Sequence, residues 1–237
     1  MPGDRPLISL LVPAYDEAAT IGDVLRRAAA VELDTEIVVV DDGSADGTAA
    51  VVERIAGELG DGRVRLIRHE GNRGKGAAVR TAIAAARGEF LVIQDADLEY
   101  DPRDVPKLVR PLLEGVADAV YGSRLRGGEP QRAHLFWHYV GNRFLSLLTN
   151  VLFNTTISDM EVGYKAFRAD LIRSLELTSE GFGIEPEITA KLLRLGGVRL
   201  YEIPISYYGR TYSEGKKITW RDGVTAVGVL VRQRLAR

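Results

Sequence analysis

In the first half of the chain, short unbroken apolar runs alternate with longer alanine-rich stretches whose apolar residues recur at helical spacing. Runs rich in Val, Ile and Leu suit strands covered on both faces, as in a parallel sheet. The pattern predicts strands over 8–12, 36–40, 64–68, 90–94 and 119–121, with helices over 20–30, 46–59, 74–86 and 102–113 between them. Thr20 is placed to cap the first helix, and Asp101, just before Pro102, to cap the fourth. Such alternation specifies an α/β fold: a mostly parallel sheet flanked by helices. After Arg124 the texture changes. Residues 132–153 (RAHLFWHYVGNRFLSLLTNVLF) carry one long, aromatic-rich, amphipathic helical pattern instead of another strand–helix unit. A strand over 163–167, a helix over 185–195, a strand over 199–203 and an amphipathic helix over 218–237 complete the chain. In that last helix Val224, Val227 and Val231 mark the apolar side, and Arg232, Arg234 and Arg237 the basic end.

Composition narrows the class. The 237 residues make one large domain over 1–237 with appendages, and 46% apolar residues with only nine prolines give it a sizeable core. Lys plus Arg number 31 against 33 Asp plus Glu, so no overall positive field exists to hold a nucleic acid, which is not expected as a partner. With no cysteine, disulfides, thiolate zinc sites and cysteine nucleophiles are excluded, and a metal would need oxygen or imidazole ligands. The first residues, MPGDRPLISLLVPAYDE, meet prolines and acids too early for a signal peptide. No run reaches the roughly 18 apolar residues of a membrane span, so a soluble or surface-bound protein is expected.

In parallel sheets, ligands bind beyond the carboxyl ends of the strands, and three acidic loops fall there: 13–17, 41–44 and 95–99. Asp95, Asp97 and Glu99 sit at spacing two, so an extended backbone would point them to one side. There they would share a hard cation, Mg²⁺ or Mn²⁺, whose shell substrate phosphates complete. The plainer alternative is an acidic loop that caps the next helix. The segment 71–76 (GNRGKG) looks like a phosphate cradle, with Arg73 or Lys75 facing an anionic donor, but it lacks the Ser or Thr of a nucleotide-triphosphatase loop. Tight turns and close helix packing are the alternative. Asp41-Asp42-Gly43-Ser44 suits either the acidic end of a nucleotide-binding strand or a turn with a helix cap.

In order along the chain, VPAYDE, VVVDDGSADGT, NRGKGAAV, DADLEYDP and YGSR, continued by Asp159…Gly163-Tyr164-Lys165 and Arg210…Gly215-Lys216, resemble the family 2 glycosyltransferases of GT-A (Rossmann-like) fold. Within them the chain is similar to the dolichyl- or polyprenyl-phosphate mannose synthase branch. The resemblance implies that residues 1–124 bind a nucleotide-sugar and residues 125–237 the acceptor. It puts Pro13, Tyr15 and Glu17 along the nucleotide, Asp42 on the base with Asp41 close by, and Asp95 and Asp97 on donor and metal. Glu99, where the relatives carry Gln, would complete the ion's shell. Lys75 joins the donor-binding set, and the catalytic set is Asp95, Asp97, Arg124, Arg210 and Lys216.

Transfer of a glycosyl group needs a stabilised leaving group and a placed nucleophile. The metal, Arg210 and Lys216 would serve the first need. An alcohol acceptor also needs a base, for which Asp159 and Glu185 are candidates, each with an alternative role in pairing with Lys165 or capping a helix. A phosphate monoester is already anionic and needs cations instead. Arg124, Arg132, His134 and His138 are expected to hold it; the two histidines occupy positions where the relatives carry Arg and Ser, and their alternative is packing inside an aromatic helix. The apolar face with Phe136, Trp137, Phe144 and Leu147 suits a lipid acceptor and a membrane interface, or else a core or dimer contact. The expected activity is inverting transfer of mannose or glucose from a GDP- or UDP-sugar to polyprenyl phosphate. The protein would sit in the cytoplasm, peripherally at the inner face of the membrane, as a homodimer or beside a membrane-anchored subunit. The alternatives are a polysaccharide, protein or small-alcohol acceptor, or a nonenzymatic nucleotide-sugar sensor or membrane-complex subunit.

Overall fold

The computed structural model describes residues 7–60, 62–132, 135–211 and 219–236. Seven strands form one sheet in the order β3-β2-β1-β4-β6-β5-β7. They are β1 (Ile8–Ala14), β2 (Thr35–Asp41), β3 (Val64–Arg68), β4 (Phe90–Ile93), β5 (Ala119–Ser123), β6 (Lys165–Arg168) and β7 (Leu200–Pro204). Every residue of β1, β2 and β4 is buried, which is why these strands read as unbroken apolar runs. All neighbouring pairs are parallel except those of β6, which runs antiparallel to both β4 and β5.

The helices are α1 (Ile21–Ala29), α2 (Thr48–Leu59), α3 (Lys75–Ala85), α4 (Val105–Leu113), α5 (Phe136–Phe153), α6 (Ala169–Ser174), α7 (Ile184–Arg194) and α8 (Trp220–Leu235). Asp101 caps the turn before α4 as expected, accepting from the Arg103 N–H at 3.0 Å. Thr20 does not cap α1 through its side chain; its hydroxyl donates to the Ala96 carbonyl at 2.8 Å and ties α1 to the loop after β4. The expected helix over 132–153 starts only at Phe136, because the backbone before it is claimed by sheet-like pairing: Gln131 bridges Tyr207, and the Arg132 N–H donates to the Tyr207 carbonyl at 3.0 Å. The six-residue α6 lies in a stretch too short to carry a helical period.

One continuous apolar core joins the sheet to α1–α8. The amphipathic helix α5 contributes little to it. Of its residues only Leu145, Ser146 and Thr149 are buried, whereas Phe136 (65%), Trp137 (77%) and Val151 (73%) stand exposed. α8 packs beside α5 and exposes Trp220, Val224 and Leu235. The apolar face of α5 is therefore not core packing. No helix among the described residues is long and apolar enough to cross a membrane.

The loop before α7 is fixed by a buried carboxylate. Glu187 accepts from the Thr178 N–H at 3.0 Å and the Ser179 N–H at 2.7 Å, and lies 2.8 Å from Lys191. Burial alone would raise its pKa, but the Lys191 ammonium and the loop N–H groups outweigh burial and bring it from 4.5 down to about 2. A depressed folded-state pKa gives stability that is present above the unfolded value and lost as pH falls through the folded one. Glu187→Ala is thus expected to cost about 2–3 kcal/mol at pH 7, with the gap to wild type closing between pH 4.5 and 2 in denaturant titrations.

Candidate active site

A cavity of 420 Å³ opens at the carboxyl ends of β1, β2, β4 and β5, where the amino ends of α3 and α7 also arrive. Pro13, Tyr15, Glu17, Asp42 and Lys75 line it, as the donor-binding expectation requires. Asp41 is not among the lining residues. It is buried at the end of β2, accepting from the Ser44 N–H at 3.2 Å, the turn-forming role its sequence also allowed.

Asp42 holds the glycine-rich loop. Its carboxylate accepts from the Arg73 N–H at 3.1 Å and the Gly74 N–H at 2.7 Å, and meets His69 Nδ1 at 2.6 Å. The other nitrogen of His69 lies 3.0 Å from the Thr81 hydroxyl on α3, so loop and helix are fixed from one carboxylate. The glycines of 71–76 serve close approach: a Cβ on Gly74 or Gly76 would collide with the carbonyl oxygens of Glu180 and Ser179. The segment is a packing turn that delivers Lys75, and Arg73 stays exposed outside the cavity lining.

The acidic wall is not extended. Residues 95–99 form a turn in which Leu98 takes a φ of +61° and the Glu99 N–H donates to Asp97 at 3.1 Å. The turn, not strand alternation, gathers the acids. Asp95 pairs with Lys75 at 2.8 Å, and Lys75 lies 3.4 Å from Glu185, which is itself bonded to buried Lys165. Arg210 reaches Asp97 at 2.8 Å and Glu17 at 3.1 Å, and its backbone N–H donates to Glu99 at 2.7 Å. Burial, Asp95 and Glu99 together push the Asp97 carboxyl up to about 7 against the pull of Arg210. Burial would lower the Lys75 ammonium, but Asp95 and Glu185 keep it firmly protonated.

Among the described residues no three carboxylate or imidazole side chains are arranged as a metal cluster. The donor chemistry of the wall still fits a hard cation in the Mg²⁺ manner, with one or two carboxylates and the rest of the shell from substrate and water. Asp95 and Asp97, now paired with Lys75 and Arg210, are the carboxylates that would supply them. Glu99 is engaged by the Tyr207 hydroxyl at 3.0 Å and by the backbone of Arg210.

Arg124 also lines the cavity, stacked 5.1 Å over the ring of Tyr207, whose hydroxyl reaches Glu99. Asp159 clamps it, with guanidinium bonds of 2.8 and 2.7 Å, and Asn142 of α5 donates to the same carboxylate at 2.7 Å. Arg132 and His138 do not line the cavity; Arg132 is exposed and donates to the Gly209 carbonyl at 3.1 Å. His134 and Lys216 lie outside the described residues. Both candidate bases are held as paired anions, Asp159 by Arg124 and Glu185 by Lys165 and Lys75.

Glu161 carries no motif signal beyond its place between Asp159 and Gly163, yet it lines the cavity. Its Oε1 is buried without a hydrogen-bond partner, and burial pushes the carboxyl up to about 7 although Lys165 pulls it down. Tyr100 and Tyr207, also unforeseen, form the aromatic floor beside Arg124, with ring centroids 5.6 Å apart.

The profile of glycosyl transferase family 2 matches residues 9–175. The chain is 32% identical over 204 residues to glycosyltransferase AglJ of Haloferax volcanii, covering 86% of this chain but only 63% of AglJ. It is 30% identical over 222 residues to the uncharacterized protein MJ0544 of Methanocaldococcus jannaschii, covering 88% and 93% of the two. Among solved structures it is similar to glucosyl-3-phosphoglycerate synthase from Mycobacterium tuberculosis in complex with Mn²⁺, UDP and phosphoglyceric acid. That match has a TM-score of 0.74 at 22% identity, over 99% of this chain and 80% of the other. With strands, acidic wall and matched profile in agreement, this chain, of GT-A fold, belongs to glycosyltransferase family 2.

Proposed function

We propose that this protein moves a hexosyl group from a nucleoside-diphosphate sugar to a polyprenyl phosphate, as the polyprenyl-phosphate mannose synthase branch does, while lying peripherally on the inner face of a membrane. The observation that carries this reading is the continuity between the cavity and an exposed apolar surface. Asn142 of α5 helps hold the Asp159–Arg124 pair, and Asp222 of α8 lines the cavity, so the amino ends of both helices flank it. Those same ends expose Phe136, Trp137, Tyr139 and Trp220. Aromatic residues suit the membrane interface, where the chain of a lipid acceptor would lie with its phosphate toward Arg124.

The paired state of Asp159 and Glu185 supports a phosphate acceptor. Neither is a free base, and a phosphate oxygen needs none. On the donor side, Asp42 and its loop form the nucleotide wall, and Asp95 and Asp97 would hold a divalent cation, Mg²⁺ or Mn²⁺. The structurally similar synthase contains Mn²⁺ and UDP, which supports this assignment. Bound there with the diphosphate, the cation would offset the charge that grows on the leaving nucleotide. Arg210, held by Glu17 and Asp97, is positioned to take part in the same compensation.

Radiolabelled sugar transfer from GDP-mannose, UDP-glucose or another nucleotide-sugar to a short polyprenyl phosphate is expected to exceed transfer to the matching polyprenol by at least about a hundredfold, and to stop with EDTA. A better rate with the unphosphorylated alcohol would overturn the acceptor assignment. Arg124→Lys, which keeps a charge opposite Asp159 but loses the bidentate fork, is expected to raise KM for the lipid phosphate about tenfold or more while nucleotide binding stays within about twofold. In vesicle sedimentation, the combined change Trp137→Ser and Trp220→Ser should weaken membrane binding about tenfold or more without lowering turnover of a water-soluble, short-chain acceptor.

A further inference from the structure

Nearly every acid on the cavity wall has a partner. Asp95 meets Lys75, Asp97 and Glu17 meet Arg210, Asp42 takes the loop N–H groups and Glu185 pairs with Lys165. Glu161 makes no hydrogen bond or ion pair with the described residues, and one of its oxygens is buried in that state. Leaving a buried carboxyl oxygen without a partner is unfavourable, so a protein without a use for it would gain by losing it.

The backbone that carries Glu161 is rigid. The Met160 N–H donates to the Ser146 hydroxyl at 3.0 Å, and the Gly163 N–H to the Tyr100 hydroxyl at 3.2 Å. Gly163 runs so close beneath the acidic wall that a Cβ there would strike Asp95 and come within 3.2 Å of the Lys75 ammonium. Glu161 is thus held two residues from that close approach and on the same chain segment as Asp159, which anchors Arg124, and the charges that act on it are those of Lys165, Glu185, Arg124 and Asp159. It lines the cavity near both Glu185, which pairs with Lys75 of the proposed donor side, and Arg124, which would face the acceptor.

Its chemistry selects what can occupy that part of the cavity. In its ionised form the carboxylate repels a phosphate, so neither the diphosphate nor the acceptor phosphate satisfies it in that form. A neutral hydroxyl does, donating to the unpartnered oxygen, and the group between diphosphate and acceptor in a glycosyl transfer is the sugar. We propose that Glu161 accepts a hydrogen bond from a hydroxyl of the donor's sugar and thereby determines which sugar is transferred. This rests on the glycosyl-transfer reading but not on the identity of the acceptor. An epimer whose hydroxyl points elsewhere leaves the oxygen unsatisfied and is disfavoured, as in sites built to bond a substrate hydroxyl.

The test is calorimetric binding of UDP-glucose, UDP, GDP-mannose and GDP, with Mg²⁺, to wild type, Glu161→Gln and Glu161→Ala, alongside initial rates with UDP-glucose, UDP-galactose and GDP-mannose. For whichever base the wild type binds, Glu161→Ala should weaken the sugar nucleotide about ten- to hundredfold and leave the bare diphosphate within about twofold. Selectivity among the donors should fall with it. Glu161→Gln loses no partner, so its thermal midpoint should equal or exceed that of wild type, which keeps the comparison free of misfolding. Equal weakening of sugar nucleotide and bare diphosphate would overturn the proposal. So would unchanged binding with a large fall in kcat, which would make Glu161 a proton acceptor. So would no change in either. A wild type that binds none of the four nucleotides would instead overturn the donor reading, and this inference with it.

Discussion

The arrangement of the cavity depends on compensating carboxylates crowded where the parallel strands end. Lys75 and Arg210 do most of it. Lys75, the first residue of α3, spans Asp95 and Glu185, and Glu185 passes the connection to Lys165 on β6. This alternating chain of charges ties two helices, a strand and the loop after β4 into one unit. Arg210 performs the same service for Glu17 and Asp97. Removing one partner from such a buried pair leaves an uncompensated charge and costs about 3–5 kcal/mol, so the pairs hold the wall in place even though forming them gains little over apolar packing. Burial first, and then the neighbouring Asp95 and Glu99, hold the Asp97 carboxyl above its ordinary value even with Arg210 beside it. A divalent cation is the kind of ligand that such crowded carboxylates favour.

How much of this was legible depended on whether the signal was local. β1, β2 and β4 are buried on both faces, so their apolar runs announced them with nearly the right bounds. The direction of β6 has no local signature; it follows from which edges remain to be paired. The start of α5 was misplaced because Tyr207, far along the chain, claims the backbone at Gln131 and Arg132. Asp95, Asp97 and Glu99 do lie near one another and line the cavity, but a turn brings them there and not the extended backbone that was expected.

The site shows the same division. Most residues carried by motifs reached the cavity, because a motif at the end of a strand is delivered wherever that strand ends. The acceptor group was less legible. Arg124 arrived, whereas Arg132 lies outside the cavity lining and His138 sits on α5 away from it. The spacing that put His134 and His138 on one helix face also put Asn142 there, and of that face it is Asn142 that reaches the Asp159–Arg124 pair; Arg132 precedes the helix altogether. Glu161 was invisible for the opposite reason. What distinguishes it is the lack of a partner, a property of the folded surroundings and not of its neighbours in sequence.

The reversed strand has a wider consequence. Because β6 runs against β4 and β5, the chain leaves the sheet after Ser123 and rejoins it at Lys165 on the same rim. Arg124, α5, Asp159 and Glu161 therefore form one uninterrupted excursion whose two ends are neighbouring strands. The cavity loops after β1, β2 and β4 belong to separate strands and do not share its course. On the proposed reading, substitutions or length changes within that single excursion would alter the part of the cavity around Arg124 while the loops after β1, β2 and β4 keep their own anchoring, so that part could be remodelled as a single cassette.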